Sequence, residues 1–158
     1  MVENDVIIMV TDTGKFKTIG NELESLLKNL TDSSNNKVFK SVLLGFPEEQ
    51  FRGYEFPLAI CYVKGANYQS NTLMKRNTPE YIDAVIGIIV TGDTRSRYEK
   101  IVDLMDLVQE KFETDDNWIH LNGKVRLTKL NDSALTIMEN GENIASVAIF
   151  TLKHHVYK

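Results

Sequence analysis

The sequence predicts an α+β protein built on a mostly antiparallel sheet, with two helices packed on it and a β-hairpin at its C-terminus. Three observations carry this expectation. The β-branched run Val85-Ile86-Gly87-Ile88-Ile89-Val90 is too short for a membrane span and lies between turn residues, which favours a largely buried strand. Two other stretches repeat apolar residues at helical spacing, and the C-terminal region carries Asn140-Gly141 between strand-like segments, a strong hairpin signal. The strand and helix from Tyr81 to Phe112 form the unit on which the rest of the chain is expected to pack or pair.

The chain has 158 residues, enough for one domain with an ordinary core and no disulfide or metal staple. No repeat, low-complexity tract or composition shift marks a second domain, so 1–158 reads as a single unit. A formal charge of −4 argues against a general phosphate-binding surface. The one cysteine, Cys61, lies in an apolar run and reads as a small core residue, as in a reducing cytoplasm. The N-terminus MVENDVIIMV has an acidic lead and a short apolar run, unlike a signal peptide or membrane anchor.

Taken in order, Val6 to Val10 fits either a short strand or an irregular lead-in. From Gly14, the side chains Phe16, Ile19, Leu23, Leu26, Leu27 and Leu30 fall within an arc of roughly 120°, giving a first helix with Asp12 or Thr13 as its N-cap. The polar cluster Thr31 to Asn36 ends it in a loop. Lys37 to Leu44 and Leu58 to Val63 read as strands, expected to pair antiparallel. Between them, GFPEEQFRGYEFP carries aromatics that favour a satellite core, or else a partner-binding loop.

Gly65 to Glu80 reads as a long loop or arm, either with Tyr68, Lys75 and Arg76 able to grip phosphates or an acidic neighbour or as a surface loop with no special role. After the central strand, Thr94 or Ser96 is placed to cap a second helix, with Ser96 and Glu99 at capping-box spacing. Tyr98, Ile101, Val102, Met105, Val108 and Phe112 form its expected core stripe. Glu99, Asp103, Asp106, Glu110 and Glu113 form an acidic stripe that reads first as a solvated face. Leu104 and Leu107, outside both stripes, are candidates for a subunit contact.

Glu113 to Gly123 reads as a polar link around Trp118, whose ring is expected in a niche at the domain edge. Lys124 to Leu130 and Ala134 to Met138 alternate, and Ile144 to Tyr157 is the closing strand. In it Val147, Ile149 and Thr151 face one way and Ala148, Phe150 and Leu152 the other, so both faces are expected to meet protein.

Catalytic and metal chemistry finds little to work with. The histidines are His120, His154 and His155, and the adjacent pair points to opposite faces of a strand. Phosphate-cradling glycine motifs and the nucleophile elbow are missing from the sequence. No catalytic residue, cofactor or metal site is assigned, and the chain is not expected to be an enzyme.

The first helix through Leu30, the approach PEEQFRGYEFPLAICYV, the strand IDAVIGIIVTG with its helix RYEKIVDLMDLVQEKF, and the closing ASVAIFTLKHHVYK together resemble the tail terminator proteins of long-tailed bacteriophages. The likeness lies in element order and hydrophobic pattern across most of the chain. It implies a virion structural protein at the head-proximal end of the tail. There a homo-oligomeric ring, hexameric in that family, ends growth of the tube of major tail protein and offers a docking surface to the head connector or stopper. DNA would be met only in transit through the channel, with no membrane and no cofactor involved. Phage neck and head-tail completion proteins share the pattern and are the near alternative. A small cytoplasmic enzyme or ligand-binding domain is the distant one, and it would require a deep pocket with convergent polar groups.

Overall fold

The computed structural model describes residues 14–45, 53–68, 79–140 and 143–157, with the side chains of Pro79, Asn140 and Asn143 excepted. The elements are α1 (Lys15–Lys28), β1 (Ser41–Leu44), β2 (Leu58–Tyr68), β3 (Pro79–Thr91), α2 (Thr94–Thr114), α3 (Asp116–Ile119), β4 (Leu127–Asn140) and β5 (Asn143–His155). The strands form one five-stranded sheet in the order β1-β2-β3-β5-β4, so the central position falls to β3, as its β-branched run implies. The fold is α+β with the expected C-terminal hairpin, β4 paired antiparallel to β5.

One face of the sheet is covered. Ala59, Cys61, Ile86, Ile88, Ala148, Phe150 and Leu152 point into the main core beneath the helices. Helix α1 lies over β1 and β2 and contributes Ile19, Leu23, Leu26 and Leu27, while α2 lies over β3 and β5. At Gly20 the helix comes close to the sheet, since a Cβ there would meet Leu44 Cδ1 at 3.3 Å. A short third helix, α3, seats Trp118 in its expected niche, edge-to-face with Phe112 at 5.1 Å between ring centroids.

Several expectations are corrected. β1 and β2 pair parallel, Ser41 opposite Leu58 through Leu44 opposite Cys61. The connection 45–57, about a dozen residues, is long enough to return the chain to its starting edge. β1 is limited to Ser41–Leu44, since Lys37 only bridges to Thr31 and Asp32 Oδ1 accepts the Ser34 and Asn36 amides in a tight turn. Gly65 to Tyr68 belongs to β2 rather than to a loop, because a bulge after Val63 restores pairing with Asp83, Ile82 and Tyr81. β4 is one continuous strand, with a register shift between Leu130 and Asp132 where an interruption was expected.

The helix caps also differ. α2 is capped by Asp93, whose Oδ1 accepts the Ser96 amide at 3.0 Å, and Glu99 pairs with Arg95 instead of closing a capping box. Its buried stripe is Arg97, Ile101, Leu104, Val108 and Phe112, rotated from the expected one, so Tyr98 is left 59% exposed. The rotation is possible because the Arg97 guanidinium is satisfied in place: Nε donates to Ser146 Oγ and Nη1 to the Gly92 carbonyl, each at 2.9 Å. α1 begins after Gly14 with no side-chain cap, and Phe16 is exposed at its start. The expectations for Val6 to Val10 and for Asp12 or Thr13 as a cap lie outside the described residues.

Candidate assembly surfaces

No described helix lies over the opposite face of the sheet. By the register, its cross-strand rows run Leu58, Ile89, Val147, Thr136; then Ile60, Gly87, Ile149, Ala134; then Tyr62, Val85, Thr151, Asp132. Tyr54 and Phe56, from the aromatic stretch before β2, pack with Leu43 over one edge of this face, against Leu58, Ile60, Ile89 and Ala145. This is the satellite core expected of that stretch, as far as Tyr54 and Phe56 carry it; Phe46 and Phe51 lie outside the described residues.

Beyond that roof the face stays open as a shallow apolar groove of about 210 Å³ over Ile60, Val85, Gly87, Ile89, Val147 and Ile149. Gly87 contributes no side chain to the row, which deepens the groove between Ile60 and Ile149. Ile149 is 38% exposed although it sits mid-strand. The expectation that both faces of β5 meet protein thus holds fully within this chain for Ala148, Phe150 and Leu152, and only in part for Val147 and Ile149.

The groove ends in a polar row. Lys153 Nζ stands 4.6 Å over the Tyr81 ring, His155 meets that ring edge-on at 4.7 Å, and Asn67 Nδ2 donates to Asp83 Oδ2 at 3.3 Å. Desolvation lowers the His155 pKa, and the nearby Lys129 charge acts in the same direction. Tyr68, at the end of β2, is 53% exposed. Lys75 and Arg76 lie outside the described residues.

His154 points the other way, as alternation requires, and is fully buried. The Thr128 hydroxyl and His154 Nδ1 are hydrogen-bonded at 2.7 Å, whereas Nε2 has no partner among the described residues. Burial lowers its pKa to about 3, so the ring is neutral at physiological pH. His120 is tied separately, its Nδ1 2.8 Å from the Arg126 carbonyl. Burial pushes the Cys61 thiol up to about 12, with Glu24 adding to the effect, which leaves it unreactive. Among the described residues no group of three or more His, Cys, Asp or Glu is placed to hold a metal ion, and no helix is long and apolar enough to cross a membrane.

Leu104 and Leu107 do not form an exposed pair. Leu104 is 7% exposed and belongs to the main core, and Leu107 is half-buried against it, in a dent of mixed charge lined also by Asp32, Lys37, Lys40, Lys100 and Asp103. The helical arc that buries Arg97 brings Leu104 inward, which the expected stripe of Tyr98, Ile101, Val102, Met105, Val108 and Phe112 did not foresee. The acidic stripe of α2 is exposed along its length, as a solvated face.

A surface that the sequence reading missed is the hairpin edge. Residues 131–137 of β4 are all exposed, Leu135 at 42% and Ile137 at 62%, and Ile144 on the adjoining strand is 41% exposed. Its sequence signal was the alternation of Ala134 to Met138, which reads equally well as one wet face and one dry face. No protein-family model matches the chain, and no curated protein matches it.

Proposed function

We propose that this chain is a structural subunit of a phage tail, forming a ring at the head-proximal end of the tail tube, ending tube growth and presenting a surface to the head connector. The observation that carries the reading is the sheet face that no described helix covers, where the half-buried Val147 and the exposed Ile149 border a shallow groove, rather than an enclosed cavity, floored by the buried Ile60, Val85 and Ile89. Contiguous apolar surface of this kind marks an interaction site. Among the described residues its lining carries one polar side chain, Tyr62, where a small-molecule site uses several convergent polar groups to orient a ligand. The order of helices and strands, likened above to tail terminators, supports the same reading. In a ring the groove would be closed by a neighbouring subunit, and the acidic stripe on α2 would remain in solvent or face passing DNA, repelling phosphate.

The test is electron microscopy of a lysate made without this gene product. Overlong tubes lacking heads are the expected result. Tails of normal length that merely lack heads would move the chain to the head-tail joining step, and normal virions would remove it from tail assembly altogether.

A further inference from the structure

The outer edge of β4 is built to accept a strand, and its residues fit themselves. β4 is the terminal strand of the sheet, and its outer backbone has no neighbour among the described residues. Natural edge strands are commonly protected by Lys, Pro, a bulge or short length. Here the register shift and Lys129 sit toward one end, while Ser133-Ala134-Leu135-Thr136-Ile137-Met138 is uncharged, regular and free of Pro and Gly. The opposite edge of the sheet, β1, has only four residues. Helix α2 covers β3 and β5 but leaves Leu135 and Ile137 largely bare.

We propose that two copies of this chain pair their β4 edges antiparallel about a two-fold axis through Thr136, joining two sheets into one. The strand alternation fixes the choice. Leu135 and Ile137 lie on the helix side of the sheet, and Ala134, Thr136 and Met138 on the groove side. With the axis at Thr136, Leu135 falls opposite Ile137 of the second copy and Ala134 opposite its Met138, so each apolar residue meets an apolar one. Glu139 falls opposite Ser133, and Asp132 opposite position 140, so no like charges meet. An axis at residue 135 sets Ile137 against Ser133 and Met138 against Asp132, and an axis at residue 137 sets Leu135 against Glu139. The contact is two-fold and closes on itself, so it is separate from any head-to-tail ring contact.

The full-length protein is expected to sediment as a concentration-dependent dimer. Thr136→Cys places two thiols directly opposite each other, within reach of a disulfide, whereas Ser133→Cys places them about 20 Å apart. Because the native Cys61 is buried and unreactive, the introduced thiol reacts alone. Mild oxidation should therefore cross-link Thr136→Cys and spare Ser133→Cys. Ile137→Lys, at an exposed position, should raise the dimer dissociation constant about tenfold or more with an unchanged circular dichroism spectrum. A protein that stays monomeric at every concentration, equal cross-linking at both positions, or a dimer that is lost with Ile149→Asp and kept with Ile137→Lys would each overturn the pairing. The tail-length test reads the ring separately, so either proposal can fail without the other.

Discussion

The two faces of the sheet are made by the same strands through the same alternation, yet only one is closed by helices among the described residues. On the helix side Ile86, Ile88, Ala148, Phe150 and Leu152 are sealed beneath α1 and α2. On the groove side Ile60 and Ile89 are screened by their neighbours and by Tyr54 and Phe56, while Ile149 is left in partial contact with water. The difference teaches that apolar content alone does not locate a core. A residue contributes to the stability of one chain in proportion to the area that chain removes from water, and what is left over is available to a partner.

The comparison can be broken most directly at Phe150. It is fully buried, so Phe150→Ala should cost about 3–5 kcal/mol in urea denaturation, and a loss near 1 kcal/mol would mean that the helix side is looser than its burial indicates. His154, at the polar end of the same covered face, should give a smaller effect that depends on pH. Its folded pKa of about 3 lies below the ordinary 6.5, so the unfolded chain takes up the proton first as pH falls. Stability from this group is complete above pH 6.5 and is lost progressively toward pH 3. Between pH 7 and pH 4.5 the loss is on the order of 2–3 kcal/mol. His154→Leu should flatten that part of the pH profile, and an unchanged profile would place the acid sensitivity elsewhere. The smallest effect on the single chain is expected on the groove side. Ile149→Ser should cost about 1 kcal/mol or less and, under the proposed role, abolish incorporation into tails, and a cost equal to that of Phe150→Ala would erase the distinction between the faces.

Much of this architecture was legible beforehand, because it rests on local periodicity. The β3 run, the α1 stripe, the hairpin at Asn140 and the two faces of β5 all follow from patterns within a dozen residues. The errors share a different origin. The parallel pairing of β1 with β2 depends on where a long connection delivers the chain, which no local pattern encodes. Arg97 is buried because Ser146, far along the chain, accepts from its guanidinium, and that long-range bond shifts the whole stripe of α2. Leu104 is turned into the core by the same rotation. The exposed edge at Leu135 and Ile137 could not be seen either, since strand order decides which alternating strand has a neighbour on each side.

Trp118 has a practical value that its packing creates. It is the sole tryptophan of the chain, buried against Phe112 close to where β4 begins, at the opposite end of that strand from the hairpin tip. Its intrinsic fluorescence therefore follows melting of the helix-covered core and should be nearly silent to events along the outer hairpin. Denaturation monitored by emission and association monitored by sedimentation become two separate channels, so a variant that changes one signal alone reveals whether folding or self-recognition was touched.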